Sequence, residues 1–202
     1  MTGLASVATR SGPDVRRFST VFLDRDGTVN VKAPEGQYVT SPNDLTLLPG
    51  AAAAIARLNA ASVQVILVTN QRWLSALPDV LPYERVHARL EELLAENGAH
   101  LDAAYYCPHS AGSCGCRKPA PGMLERAAEE RRFSLTNAVV IGDRESDIAA
   151  GRAAGTATIL LSAEQNTPSS ANYIAADLAE AVGLILGMTQ ASPRPEETRQ
   201  TS

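Results

Sequence analysis

The sequence predicts a Rossmann-like α/β fold of three layers, a parallel sheet flanked by helices on both faces, and two observations carry that reading. Short apolar, β-rich segments alternate with helix-like stretches through the middle of the chain. Residues able to do chemistry also fall just after those apolar segments, and open α/β sheets bind ligands at the carboxyl ends of their strands.

The strands are expected at 21–23, 63–68, 104–106, 139–141 and 158–161, where Val, Ile, Leu, Phe and Tyr dominate. The helices are expected at 51–59, 83–96, 122–131, 145–154 and 177–186. In the second helix Val86, Leu90, Leu93 and Leu94 form one apolar stripe, and Asn97-Gly98 ends it. No internal repeat is present, and the run Ala51-Ala52-Ala53-Ala54 is simply helix.

A chain of 202 residues is long enough for one domain that buries roughly 70% of its unfolded surface. The polar, aperiodic segments 1–17 and 190–202 are expected to be disordered and to flank a domain at 18–189. A net charge of −4 argues against nucleic-acid binding over a broad basic surface. No apolar run is long enough to span a bilayer, and 1–17 lacks the apolar centre of a signal peptide, so a cytoplasmic monomer is expected. The three cysteines lie within ten residues, which suits a metal loop better than a disulfide framework.

The most telling stretch is Phe22-Leu23-Asp24-Arg25-Asp26-Gly27-Thr28-Val29-Asn30, an apolar strand ending in two carboxylates and a glycine turn. Two carboxylates about 4 Å apart repel by roughly 4 kcal/mol at an effective dielectric near 20, so a proton or cation is expected with them. An Asp-x-Asp pair alone is common on solvated loops. Here the buried strand before it and the Gly-Thr turn after it favour a reaction centre.

The string resembles the first motif of the haloacid dehalogenase superfamily of phosphotransferases. The resemblance implies that Asp24 is a nucleophile forming an aspartyl phosphate, and that Asp26 is the general acid and base with its backbone carbonyl on magnesium. Thr69-Asn70-Gln71, after Val65-Ile66-Leu67-Val68, resembles the second motif, whose threonine hydroxyl meets the phosphoryl group. The family continues with Ser-Gly, whereas this chain has Arg72-Trp73; Arg72 is either a phosphate contact or a solvated arginine. Arg117-Lys118-Pro119 resembles the third motif, with Lys118 neutralising nucleophile and phosphoryl and Arg117 offering a bidentate fork. Gly142-Asp143-Arg144-Glu145-Ser146-Asp147 resembles the fourth, with Asp143 a magnesium ligand. Asp147 either orients Lys118 or a metal-bound water, or is a charge favoured near a helix start. Hard oxygen ligands from Asp24, Asp26 and Asp143 suit magnesium.

The cluster Cys107-x-His109-x4-Cys114-x-Cys116 offers four soft or borderline ligands on a loop with Gly112 and Gly115, a closed structural set for zinc that would position Arg117 and Lys118. The other reading is three reduced thiols without metal. Neither His87 nor His100 matches a motif, and both are expected on exposed helix surfaces. The segments 31–47 and 71–101 are too short for a separate cap domain. Together these motifs imply a hydrolase of a small phosphorylated sugar, from the sugar bisphosphatase branch in preference to the histidinol-phosphate branch that shares the zinc loop. A catalytically weak scaffold or zinc-dependent binding module is the reading from another class.

Overall fold

Along the central strands, successive residues enter different cores. Val21 and Leu23 of β1 (Thr20–Leu23) pack with Val65 and Leu67 of β2 (Gln64–Asn70) and with Val139 and Ile141 of β4 (Ala138–Gly142). Phe22, Ile66, Val68, Ala138 and Val140 point to the opposite face. Both faces are therefore buried, which is why these strands read as unbroken apolar runs. The computed structural model describes residues 18–164 and 167–189. The expected disordered segments 1–17 and 190–202 lie outside the described residues.

The sheet has six parallel strands in the order β3-β2-β1-β4-β5-β6, completed by β3 (Ala103–Cys107), β5 (Ala157–Leu161) and β6 (Tyr173–Ala175). Three helices cover one face: α1 (Ala51–Ala60), α2 (Leu81–Ala95) and α5 (Leu178–Thr189). The other face is packed by α3 (Gly122–Arg131) and α4 (Glu145–Ala153), through Met123, Leu124, Ala127 and Ala150. This is the expected three-layer α/β fold. The strand order reverses between β1 and β4, and a doubly wound sheet opens its ligand crevice at such a point.

Local chemistry sets the element ends. Asp177 accepts a hydrogen bond from the Glu180 N–H at 2.8 Å, while the Glu180 carboxylate accepts from the Ala176 N–H at 2.7 Å, so α5 begins one residue later than expected. After α2, Gly98 takes a φ of +69°, and the Ala99 N–H reaches back to the Leu94 carbonyl at 3.0 Å.

Three features differ from expectation. The edge strand β6 was absent from the sequence reading: it has three residues and its Tyr173 is exposed, so it leaves no apolar run to detect. His87 is not on an exposed surface but half-buried, its ring stacked on Tyr83 with centroids 5.9 Å apart. His100 is exposed as expected, yet it lies in the connection between α2 and β3, where its backbone exchanges hydrogen bonds with the Asn59 side chain.

The segments that would hold a cap contain two short turns and a single α-helix. One 3-10 turn (Pro42–Asp44) lies in the loop after β1; a second (Arg72–Ala76) and α2 follow β2. Among the described residues, no helix is long and apolar enough to cross a membrane.

Candidate active site

Asp24 is the first residue past β1, and its N–H donates to the Ile141 carbonyl of β4 at 3.0 Å, which fixes it at the switch point. Its carboxylate faces Lys118, whose Nζ reaches Asp24 Oδ1, Asp147 Oδ1 and the Val68 carbonyl, each at 2.7 Å. All three ammonium hydrogens thus have an acceptor. Burial pushes the Asp24 carboxyl up to about 7, against the downward pull of Lys118. Burial would lower the Lys118 ammonium, but Asp147 and Asp24 outweigh it and hold its pKa above the ordinary lysine value.

The chain then turns sharply. Gly27 has a φ of +92°, and a Cβ there would lie 2.3 Å from Asp143 Oδ2, so glycine is required by conformation and by space. The turn swings the Asp26 carboxylate away from Asp24. Asp26 accepts from Arg25 Nε and Nη2 at 3.2 and 3.1 Å, from Asn30 Nδ2 at 3.0 Å and from Gln71 Nε2 at 2.8 Å. The repulsion expected within the Asp24–Asp26 pair is therefore relieved by two separate cations, Lys118 and the fully buried Arg25.

Carboxylate oxygens of Asp24, Asp143 and Asp147 instead lie within 4.8 Å of one another. Asp143 Oδ1 is buried without a hydrogen-bond partner, which suits a site for a hard cation. The Asp26 carboxylate stands outside this group, so its contribution to a cation is limited to the backbone carbonyl that the motif assigns. Asp147 serves both roles left open by the sequence: Oδ1 pairs with Lys118, and Oδ2 accepts from the Arg144 N–H at 3.2 Å near the start of α4. Gly142 leaves room for it, since a Cβ there would lie 2.3 Å from Asp147 Oδ2.

From β2, Thr69 is buried and its hydroxyl accepts from Gln71 Nε2 at 2.8 Å. Asn70 clamps the third motif by donating to the Lys118 carbonyl at 3.0 Å and accepting from the Lys118 N–H at 3.2 Å. Trp73 Nε1 donates to Gln71 Oε1 at 2.6 Å, so the residue that departs from the family pattern braces the amide that holds Asp26. Arg72 is exposed and does not line the cleft. Arg117 does, as do Asp24, Asp26, Thr69, Asn70, Lys118 and Asp147; the cleft encloses about 240 Å³ beneath the loop 32–39.

Beyond β3, Cys116 Sγ lies 3.3 Å from Cys107 Sγ, 3.2 Å from Cys114 Sγ and 3.3 Å from His109 Nδ1. Cys107 Sγ is 3.6 Å from both Cys114 Sγ and His109 Nδ1. Disulfide sulfurs would be about 2.05 Å apart, and these cysteines are free. Tetrahedral zinc with bonds of about 2.3 Å places sulfurs roughly 3.8 Å apart, so the four ligand atoms fit a slightly contracted set. Desolvation opposes ionisation of Cys114, yet bonds from Cys116 and the backbone N–H groups of Arg117 and Cys116 bring its thiol down to about 6. Arg117 Nη1 donates to the His109 carbonyl at 3.3 Å and so ties this loop to the cleft.

Sequence reasoning assigned no role to Arg25, Asn30, Gln71, Trp73 or Lys32. The available signals were an arginine between the two acids and a tryptophan two residues after Gln71.

Residues 115–181 match a family model described as HAD-hydrolase-like. The D-glycero-beta-D-manno-heptose-1,7-bisphosphate 7-phosphatase of Pseudomonas aeruginosa is 36% identical over 145 residues, covering 71% of this chain and 80% of that protein. The D-glycero-D-manno-heptose-1,7-bisphosphate 7-phosphatase of Thermosynechococcus vestitus is 39% identical over 198 residues, covering 86% of this chain and 97% of the relative. The crystal structure of D,D-heptose 1,7-bisphosphate phosphatase from B. bronchiseptica, complexed with magnesium and phosphate, superimposes with a TM-score of 0.76 at 33% identity. That match covers 84% of this chain and 99% of the other.

Proposed function

Because the chain belongs to the haloacid dehalogenase-like hydrolases, within the family of D-glycero-D-manno-heptose-1,7-bisphosphate 7-phosphatases, we propose that it removes the 7-phosphate of D-glycero-D-manno-heptose 1,7-bisphosphate. It is a magnesium-dependent phosphoric monoester hydrolase. The observation that carries the mechanism is Asp24, held by Lys118 at the end of β1 beside Asp143 and Asp147.

Asp24 attacks phosphorus in line, and the bond from phosphorus to the sugar oxygen breaks while Asp26 protonates the leaving alkoxide. Asp26 then takes a proton from water as that water attacks the aspartyl phosphate, which releases inorganic phosphate and restores Asp24. Esterification removes the charge on Asp24, so one Lys118 N–H turns to the phosphoryl oxygens, alongside the Thr69 hydroxyl. Asp24, Asp143 and the Asp26 carbonyl would hold magnesium, which would supply charge neutralisation to those oxygens. Asn70 positions Lys118, and Arg117 at the rim serves the part of the substrate that does not react.

We assign zinc to Cys107, His109, Cys114 and Cys116 as a closed structural site that orders the Arg117 loop. Cysteines gathered as metal ligands and not joined in disulfides suit a reducing compartment, in keeping with a cytoplasmic enzyme; we propose a monomer.

The test is phosphate release by purified protein with magnesium, offering heptose 1,7-bisphosphate and histidinol phosphate side by side. Strong preference for the bisphosphate is expected, and preference for histidinol phosphate would overturn the substrate. Full activity in Asp24→Asn would overturn the nucleophile.

A further inference from the structure

Lys32 lies two residues beyond Asn30, and its Nζ sits 2.7 Å from Asp143 Oδ2. The two partners are unlike: the Lys32 side chain is 54% exposed, whereas that of Asp143 is 8% exposed. Among the described residues, Asp143 is the only acid within ion-pair distance of Lys32. The ammonium thus covers the carboxylate best placed to hold a divalent cation, from a flexible four-carbon stem that reaches in from solvent. Lys32 also stands between two spaces. It lines the 240 Å³ cleft together with Arg117 and Arg144, and a neighbouring groove with Val31, Leu48 and Leu178.

We propose that Lys32 is an exchangeable counter-ion, which holds Asp143 until magnesium takes that carboxylate and then turns into the cleft to bind the second, non-reacting anionic group of the substrate. This rests on the bisphosphatase reading above. Charge favours such an exchange. Around the reaction centre the four carboxylates of Asp24, Asp26, Asp143 and Asp147 face three cations, Arg25, Lys118 and Lys32. Asp143 Oδ1 is without a partner while Oδ2 holds Lys32, so a divalent cation on that carboxylate would stand close to the ammonium, and their repulsion weakens the Lys32 pair and favours its release. Lys118 serves the reacting phosphoryl at the buried floor of the cleft. The released Lys32 meets a different need at the rim, where Arg117 and Arg144 already favour an anion. Metal and bisphosphate therefore bind in a cooperative order, while a monophosphate gains nothing from the freed ammonium.

Calorimetric titration of the chelated full chain with magnesium, without substrate, tests the first half. Lys32→Met is expected to bind magnesium about fivefold more tightly than wild type, the scale of one partly exposed ion pair. Steady-state kinetics test the second half: KM for heptose 1,7-bisphosphate should rise about fivefold in Lys32→Met. At magnesium concentrations that saturate both proteins, KM for p-nitrophenyl phosphate, which lacks a second anion, should not move, and Lys32→Arg should restore the bisphosphate KM. Unchanged magnesium affinity, or an equal KM change for both substrates, would overturn the proposal. Wild-type enzyme that leaves the bisphosphate intact would instead strike the substrate reading; calorimetry, which needs no substrate, would still decide whether Lys32 competes for Asp143.

Discussion

Lys118 Nζ is 2.7 Å from Asp24 Oδ1, and both side chains are buried. The pair spans the sheet from β1 to the loop before α3, and Asp147 makes it a triad. Removing the ammonium would leave two buried carboxylates facing each other. Lys118→Met is therefore expected to lose about 3 kcal/mol of stability and at least about a hundredfold in kcat. Adding Asp147→Asn should recover much of the stability, because one charge is gone, but none of the activity. Urea midpoints and kcat for the single and double variants check this, and recovery of activity in the double variant would contradict a direct role for Lys118.

Trp73 stands where relatives of this motif carry Ser-Gly, and its indole N–H holds Gln71 Oε1 so that Nε2 faces Asp26 and Thr69. In Trp73→Phe the amide can rotate and present oxygen to the Asp26 carboxylate. The expected result is a fall of about tenfold in kcat through misplacement of Asp26, with about 1 kcal/mol lost from stability. A Trp73→Phe enzyme with wild-type kcat would show that the brace is dispensable.

Strand-end acids, the strings Thr69-Asn70-Gln71 and Arg117-Lys118-Pro119 and the cysteine loop were legible in the sequence because each is a short string whose spacing is fixed by one turn. The strands were legible for a related reason: burial on both faces writes a continuous apolar run, as at Val65-Ile66-Leu67-Val68. Contacts that cross between loops left no such trace. Lys32 meets Asp143 across 111 positions, and Gln71 meets Asp26 across 45. Spacing could not reveal that Arg25, between the two acids, would turn inward and be fully buried. The three-residue β6 was illegible for want of length, and His87 because its helical neighbours are mixed, buried Tyr83 and Leu90 beside exposed Glu84 and Glu91, so spacing does not decide which side the ring takes.

His87 makes stability depend on pH in a defined direction. Burial lowers its pKa, Glu91 at 3.6 Å pulls it upward, and Arg25 adds to the lowering. The folded value therefore lies below the ordinary 6.5 of the unfolded chain. Above that pH both states are neutral and stability is unaffected. As pH falls through it, the unfolded chain binds a proton that folded His87 refuses, and stability drops. Urea midpoints at pH 7.5 and 5.5 should converge between wild type and His87→Gln if they differ at the higher pH in favour of wild type. Parallel losses in the two proteins would show that His87 protonates freely in the fold.

Removal of the zinc proposed for the cysteine loop should separate binding from chemistry, because the two cationic residues beyond the loop are anchored differently. Arg117 is tied to the loop through the His109 carbonyl, whereas Lys118 is clamped by two hydrogen bonds to Asn70 and by its own ammonium contacts. A zinc-selective chelator, used with magnesium in excess, or Cys114→Ala, should lower Tm and raise KM for the bisphosphate as Arg117 loosens. The effect on kcat should be the smaller one, since Asp24 and Lys118 keep their contacts. Equal effects on both constants would mean that the loop also holds Lys118. No change after verified loss of zinc would mean that the four ligands serve neither the fold nor the substrate.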